Sequence, residues 1–177
     1  MRRALSSSDG TQLVQAERDV QARLEQVGVD AAVDFRSMAV VANVFRVATA
    51  AKHHLERTVL AREGLSFSAF TVLWVLWVWG EMEAQHLAVE ADVAKGTLTG
   101  VVTTLERRGL VTRRRHGSDG RRVLVGCTPA GEALMAELFA RFNEGERRIV
   151  AGLGAELSDE LADLLRSVLR SMEEVDA

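Results

Sequence analysis

The feature that most constrains the fold is a short amphipathic helix pattern followed directly by an arginine-rich hairpin pattern. In residues 95–108, four apolar residues recur at i, i+3, i+4 and i+7, the spacing of one buried helix face. The next residues, "LVTRRRHGSDGRRVLVGCT" (110–128), predict two short strands joined by a polar turn. A short helix over about 83–90 and a turn at 91–94 precede them. This order of elements predicts a winged helix. The four apolar residues are Leu98, Val101, Val102 and Leu105.

The rest of the chain is predicted to be helical. One proline in 177 residues, together with many Ala, Leu, Glu and Arg, favours helix over sheet. Ser66 and Ser158 are expected to be N-caps, and Thr128 with Pro129 is a typical helix start. The apolar run "FTVLWVLWVWG" is too short to span a bilayer, which takes about 20 residues, so it predicts a buried helix. Helices are expected over about 11–27, 30–62, 66–79, 129–152 and from 158 onward.

Positive charge is concentrated in one segment of an acidic chain. Residues 95–122 hold eight cationic and two acidic residues, a net charge of +6, whereas the whole chain has −3 and the remainder therefore −9. A basic module on an acidic body is typical of a surface that binds a polyanion such as DNA. The alternative is a solvated arginine-rich loop, and charge alone leaves the two interpretations open.

The exposed face of the helix at 95–108 is unusual because two of its residues are glycines, Gly96 and Gly100. Each costs about 1 kcal/mol relative to alanine in an exposed helix. One interpretation is that no interaction constrains the residues on this face. The other is that a partner approaches the helix backbone closely, which a side chain at these positions would block. If the partner is the major groove, Lys95 and the threonines would contact bases, which predicts modest base discrimination that leans towards A·T-rich sites and uses DNA shape. The other residues of this face are Thr103 and Arg107, and it is flanked by Thr97, Thr99 and Thr104.

The arginines of the hairpin cannot all contact one DNA strand. Alternation along a strand places Arg113 and Arg115 on one face and Arg114 on the other. We therefore expect Arg113, Arg115 and Arg122 at the phosphate edge. Arg114 is expected to pair with an acidic residue of the body instead.

Four segments resemble the MarR family of bacterial transcriptional regulators. "LAVEADVAKGTLTGVVTTLERRGLVTR" (87–113) is similar to that family's helix-turn-helix, and "SDGRRVLVGCTPAGEAL" (118–134) to its wing and the following helix. "LSFSAFTVLWVL" (65–76) resembles the preceding helix, and "LSDELADLLRSVL" (157–169) the C-terminal dimerisation helix.

The resemblance implies a homodimer that binds a pseudo-palindromic DNA site. It also implies that Arg121 enters the minor groove while Asp119 orients the wing tip. The chain departs from the family pattern at Ala94, where Ser is usual, and at Gly100, where Arg is common. The expected architecture is mainly α with a small β-hairpin wing: a winged helix-turn-helix at 65–128, a helical dimerisation region at 30–64 and 129–177, and an N-terminal extension at 1–29.

Two further kinds of site are suggested by single residues or small groups: a small-molecule site and a redox site. Phe70, Trp74 and Trp77 share a helix face, and with His53 they could line a pocket for a small aromatic or anionic effector; the alternative is that they are core residues. Cys127 at the end of a strand favours a buried thiol over a redox sensor. A single cysteine fits a reducing compartment, the cytoplasm, and "MRRALSSSDG" lacks the apolar run of a signal peptide.

No set of residues suggests catalysis or a bound cofactor. Neighbouring histidines on one helix, His53 and His54, point about 100° apart, so a shared metal is not expected. No nucleophile–base pair or phosphate-binding glycine loop is present in the sequence. The sequence therefore predicts a MarR-like homodimeric regulator, a repressor relieved by a small molecule, without enzymatic activity, metal or cofactor. The alternative is a degenerate winged helix that serves as a dimeric ligand-binding or protein-interaction module.

Overall fold

The computed structural model describes residues 10–115 and 122–176. The chain forms two compact units, Met1–His53 and His54–Ala177, and the boundary between them falls within a helix. The elements in chain order are α1 (Gly10–Gln26), a 3-10 turn (Asp30–Ala32), α2 (Phe35–Thr58), a second 3-10 turn (Leu60–Glu63), α3 (Phe67–Trp79), β1 (Met82–Glu83), α4 (Ala84–Glu90), α5 (Lys95–Arg107), β2 (Val111–Arg115), β3 (Val123–Cys127), α6 (Pro129–Ile149) and α7 (Gly154–Asp176). Within this described part, no helix is both long enough and apolar enough to cross a bilayer.

In the first unit, α1 and α2 are joined through Glu17, whose carboxylate accepts hydrogen bonds from Asn43 (3.0 Å) and Arg46 (3.5 Å). The predicted start of α2 at Asp30 is wrong, because Asp34 takes the capping role. Its carboxylate accepts from the Ser37 hydroxyl (2.6 Å) and the Arg36 amide (2.9 Å), and these bonds lower the pKa of Asp34.

The predicted end of α2 at Arg62 is also wrong. The α-helix ends at Thr58, and a 3-10 turn fills the space up to Gly64. Gly64 adopts the left-handed conformation (φ 59°) and ends the 3-10 turn, so the predicted helix-stopping role of this glycine is confirmed.

The core of the second unit is built around α3, as its apolar sequence predicted. Ser66 caps this helix by accepting a hydrogen bond from the Ala69 amide (3.2 Å), and Gly80 follows its last turn with φ 80°. The other elements of the unit bury most of the helix, whereas Val78 and Trp79 in its last turn are exposed. The buried residues of α3 are Ala69, Phe70, Val72, Leu73, Val75 and Leu76.

The predicted hairpin is present, and a third strand joins it. The sheet order is β1-β3-β2, all antiparallel; Arg114 pairs with Leu124, which in turn pairs with Glu83 of β1. Two residues are too few for an alternation pattern, which is why the sequence did not reveal β1. This strand brings two glutamates, Glu81 and Glu83, next to the arginine-rich hairpin.

The last two helices confirm one predicted cap and contradict another. Thr128 accepts a hydrogen bond from the Gly131 amide (3.0 Å) and caps α6, which ends at Ile149 instead of near Gly152. Ser158 does not cap α7, which already begins at Gly154; its hydroxyl donates to the Gly154 carbonyl (2.6 Å) from inside the helix. A serine can make either bond, and sequence alone does not distinguish them.

Candidate nucleic-acid interface

The outer side of α5 presents small residues beside exposed cations. We call this surface the α5 strip; it consists of Gly96, Thr97, Thr99, Gly100 and Thr103. Leu98, Val102 and Leu105 are buried on its inner side. On the outer side, a Cβ atom added at Gly96 or Gly100 would meet no described atom within 4 Å, so internal packing does not require either glycine. The two glycines therefore leave the outer side of α5 low and open, with room for close approach to its backbone.

Two threonines of this strip, Thr99 and Thr103, already use their hydroxyl protons. Thr99 donates to the Lys95 carbonyl (3.2 Å), and Thr103 donates to the Thr99 carbonyl (2.7 Å). A partner would therefore meet hydroxyl oxygens as acceptors, together with methyl groups, on this face. Ala94 at the N-cap position provides no side-chain cap, as its replacement of Ser implied.

Arg113 of β2 is held by two side chains of α5. Its Nε donates to the Glu106 carboxylate (2.9 Å), and its terminal nitrogen donates to the Thr103 hydroxyl (3.2 Å). The hydrogen bonds from Arg113 lower the pKa of the Glu106 carboxyl. The pair links β2 to α5, so Arg113 braces the wing against the helix in this structure.

Arg114 pairs with an acidic residue, as predicted, and that residue is Glu81. Its Nε donates to Glu81 at 2.7 Å, and a second nitrogen donates to the other carboxylate oxygen, a bidentate pair that raises the pKa of Arg114. The Glu81 side chain crosses the middle strand over Gly126, where an added Cβ would lie 3.2 Å from the Glu81 Cβ. Gly126 thus leaves the space for this bridge.

Two further arginines are engaged within the protein. Arg122 donates to the Glu83 carboxylate at 2.8 Å. Arg108 donates to the backbone carbonyls of Glu63 (2.8 Å) and Gly64 (3.1 Å), which stabilises the turn before α3. No local sequence pattern identifies the partners in these contacts, because they lie 33 to 45 residues away in the chain.

Within the cationic segment, a smaller set of cations has no carboxylate or carbonyl partner among residues 10–115 and 122–176: Lys95, Arg107 and Arg115, all of them exposed. Arg107 donates a hydrogen bond to the Thr104 hydroxyl at 3.4 Å. Asp119 and Arg121, to which the family resemblance assigns roles at the wing tip, lie outside the described residues. The cationic segment therefore contains two groups. One consists of arginines that form ion pairs or hydrogen bonds within the protein, and the other of exposed cations that a polyanion could reach.

The four residues considered for a ligand pocket have different surroundings. Phe70 is buried and stacks on Phe142 (centroids 4.0 Å apart), which favours the core interpretation for this side chain. Trp77 packs against Phe139, and Trp74 meets the ring of Trp79 edge to face; both are half-buried. His53 is an exposed residue at the end of the first unit.

Cys127 is a half-buried thiol, consistent with the expected structural role. Its Sγ lies 3.9 Å from the Leu73 carbonyl of α3. Burial, with the charge of Glu132 as a smaller contribution, raises the pKa of the thiol to about 11. The reactive thiolate is therefore scarce near neutral pH.

Comparison with known proteins agrees with this geometry. The family model described as "MarR family" matches residues 65–123, which span α3 to the start of β3. The chain is 31% identical to the uncharacterised HTH-type transcriptional regulator YwaE of Bacillus subtilis, over 89% of this chain and 91% of that protein. It is 29% identical to the homoprotocatechuate degradative operon repressor of Escherichia coli, over 64% of this chain and 76% of that protein.

Among solved structures, NadR in complex with 4-hydroxyphenylacetate matches with a TM-score of 0.66 and 26% identity, covering 77% of this chain and 98% of that one. The mainly helical fold with a small antiparallel sheet is thus the fold of a winged-helix regulator, as the sequence predicted. The relatives regulate transcription and are not enzymes. The chain belongs to the MarR family of DNA-binding transcriptional regulators.

Proposed function

We propose that this protein is a homodimeric repressor that binds a pseudo-palindromic operator and releases it when a small molecule binds. The observation that carries the proposal is the flat α5 strip with exposed cations around it. A winged-helix dimer would insert two such helices into successive major grooves, about 34 Å apart. The Escherichia coli relative is named a repressor, which supports repression over activation for this chain.

At the operator, we assign different roles to the two groups of cations. Lys95, Arg107 and Arg115 contact phosphates, while Gly96 and Gly100 allow the α5 backbone to approach the groove floor. The base-contacting residues are the threonines, whose oxygens accept hydrogen bonds and whose methyl groups suit thymine, so the preference leans towards A·T pairs. Arg113 and Arg122 border the interface as braces, and the family resemblance adds Asp119 and Arg121 at the wing tip. The threonines are Thr97, Thr99 and Thr103.

The dimer is supported by the apolar face of α7. None of the described residues of α7 is buried, although its sequence places a continuous apolar stripe along one side. A second copy of the helix would cover that stripe in an isologous interface. We assign the dimerisation region to 30–64 and 129–177, as the resemblance implies. The exposed large apolar residues of α7 are Leu157, Leu161, Leu164, Leu165, Leu169, Met172 and Val175.

The effector is proposed to be a small aromatic or anionic compound. NadR was solved with 4-hydroxyphenylacetate, an aromatic acid, which supports this class for the present chain. Because two half-sites demand a matched separation of the recognition helices, a small change in that separation is enough to release DNA. A regulator of transcription of this kind acts in the cytoplasm, where the chromosome is.

The test is fluorescence anisotropy of the purified protein on DNA from directly upstream of its own gene, titrated at several salt concentrations with unrelated DNA as competitor. Saturable binding that resists competitor at physiological salt is expected. Binding that ignores sequence and disappears with salt would overturn the proposal in favour of a protein-interaction or ligand-binding module.

The division of the cations predicts two different salt dependences. Arg115→Ala should lower the slope of log affinity against log salt by about 0.9, since one phosphate contact is lost. Arg114→Ala is the matched control: the side chain is bound to Glu81, so the slope should stay unchanged. Equal slopes for both variants would contradict the assignment of Arg115.

A further inference from the structure

The second unit has an open depression that is lined by residues outside α5. Its volume is about 430 Å³, and it is lined by Trp79, Met82, His86 and Glu90. This volume lies within the range of sites that hold small organic molecules. The lining comes from the end of α3, from β1 and from α4, so none of these residues takes part in the DNA contacts proposed above.

Trp79 offers an aromatic surface in this depression. Its side chain is 55% exposed, although tryptophan is a residue that proteins usually cover. The ring is held by Trp74 at a centroid distance of 5.1 Å and an interplanar angle of 84°. That contact occupies at most one face of the Trp79 indole, so a face is available to a ligand, and indole faces attract cations.

Glu90 supplies the charge of the depression. It lies one helical turn after His86 on α4, so both side chains are on the same face of that helix. No hydrogen bond or ion pair of Glu90 is found within residues 10–115 and 122–176. The glutamates of the neighbouring segment, Glu81 and Glu83, are instead bound to Arg114 and Arg122. None of the described residues that line the depression is a lysine or an arginine, so the charge that they supply favours a cation over an anion.

We propose that this depression, the Trp79 site, binds a small aromatic compound that carries a protonated amine. The ammonium group lies over the Trp79 ring and next to the Glu90 carboxylate, and the apolar part of the ligand contacts the Met82 thioether. This ligand is a cation, whereas NadR was solved with an aromatic acid, and the residues that line the Trp79 site differ from the pocket residues predicted from the sequence. The binding proposal does not depend on the effector proposed above or on DNA binding.

The Trp79 site is also connected to the wing, and this consequence rests on the proposed DNA-binding function. Met82 belongs to β1 and pairs with Val125 of the middle strand. Its two neighbours in sequence, Glu81 and Glu83, hold the wing arginines Arg114 and Arg122. A ligand that displaces Met82 therefore moves both carboxylates and with them the wing.

Calorimetric titration of the full-length protein with 2-phenylethylamine tests the site. 3-Phenylpropionate, of similar shape but with the opposite charge, is the matched ligand control. We expect saturable binding of the amine and at least tenfold weaker binding of the acid. Absence of saturable amine binding, or equal binding of the acid, would overturn the proposal.

Three variants assign the binding to these residues. Glu90→Gln should weaken amine binding about three- to tenfold, the range of an exposed ion pair or cation–π contact. Trp79→Phe should also weaken it while keeping an aromatic ring against Trp74. Glu137→Gln changes an exposed carboxylate on α6 and should leave amine binding unchanged. Unchanged affinity in both Glu90→Gln and Trp79→Phe would overturn the assignment.

Anisotropy on operator DNA, with and without 2-phenylethylamine, tests the connection to the wing. The amine should alter DNA affinity in the wild type, and Glu81→Gln should bind the amine normally but lose this effect. Amine binding without any change in DNA affinity would overturn the connection and leave the site intact. Failure of specific DNA binding without the amine would overturn the proposed function, which the calorimetric result does not depend on.

Discussion

The helices α3 and α7 of the second unit are both rich in apolar residues, yet the apolar side chains of α3 are mostly buried and those of α7 are mostly exposed. Six of the thirteen residues of α3 are buried, and Leu73 is completely inaccessible. In α7, Leu164 and Met172 are 57% and 58% exposed. The comparison shows that apolar content alone does not predict burial within one chain.

The difference follows from how each helix distributes its side chains. The α3 sequence is apolar almost all round, so its free energy is lowest when neighbours enclose it on every side. The α7 sequence is amphipathic, with charged residues opposite its leucines, and one apolar surface is enough to cover its stripe. We therefore interpret α3 as the core of the unit and α7 as an interface between two copies of the chain.

The largest effect should come from placing a charge in the α7 stripe. Leu165→Glu is expected to weaken the dimer at least about 100-fold, because a leucine contributes about 1.5–3 kcal/mol and occurs twice in an isologous interface. Sedimentation velocity over a range of concentrations measures this. Arg170→Glu places the same carboxylate on the opposite face of α7 and should leave the dimer intact. A Leu165→Glu protein that stays dimeric would mean that another surface forms the interface.

Truncating the core helix should have the next largest effect. Leu73→Ala is expected to lower the free energy of unfolding by about 2–5 kcal/mol, since it leaves a cavity at a position with no exposure. Urea denaturation at a fixed protein concentration measures it. Val78→Ala on the same helix removes a side chain that is largely exposed and should cost less than about 1 kcal/mol. Similar losses in the two variants would contradict the central position of α3.

The smallest effect concerns Cys127, whose thiol contacts the backbone of α3. Its pKa is raised from 9.0 to about 11 in the folded state, so unfolding releases a more acidic thiol. The stability that results is complete below about pH 9 and is lost as the pH rises towards 11. Urea titrations across this range should show the loss in the wild type relative to Cys127→Ala. At pH 7.5, iodoacetamide should label the folded protein much more slowly than the unfolded protein; equal rates would contradict the burial of the thiol.

Local sequence patterns predicted most elements because each depends on residues close together in the chain. The apolar repeat of α5, the cap at Ser66 and the hairpin were predicted from spacings of two to four residues, and the structure contains all three. The errors are also local. Asp34 and Gly154 start their helices where Asp30 and Ser158 were expected, since several residues near each end have the chemistry of a cap.

The candidate DNA-binding surface was predictable only in part, because many of its contacts join residues that are far apart in the chain. The excess of arginines and the glycines of α5 are visible in the sequence, but the glutamates that bind three of those arginines are not. Glu81 and Glu83 reach the hairpin through a two-residue strand whose pairing partner is about 40 residues away. The Trp79 site likewise combines residues from α3, β1 and α4.

Residue type and short-range spacing were enough to predict the family, the order of the helices and hairpin, and the concentration of positive charge in one segment. The three-dimensional fold was needed to show which cations have no acidic partner among the described residues, because an arginine forms an ion pair only with a carboxylate that folding brings within hydrogen-bonding distance. It also decided that Gly131 cannot carry a side chain: an added Cβ would lie 2.1 Å from the Leu110 carbonyl oxygen, a contact between residues that no local pattern connects.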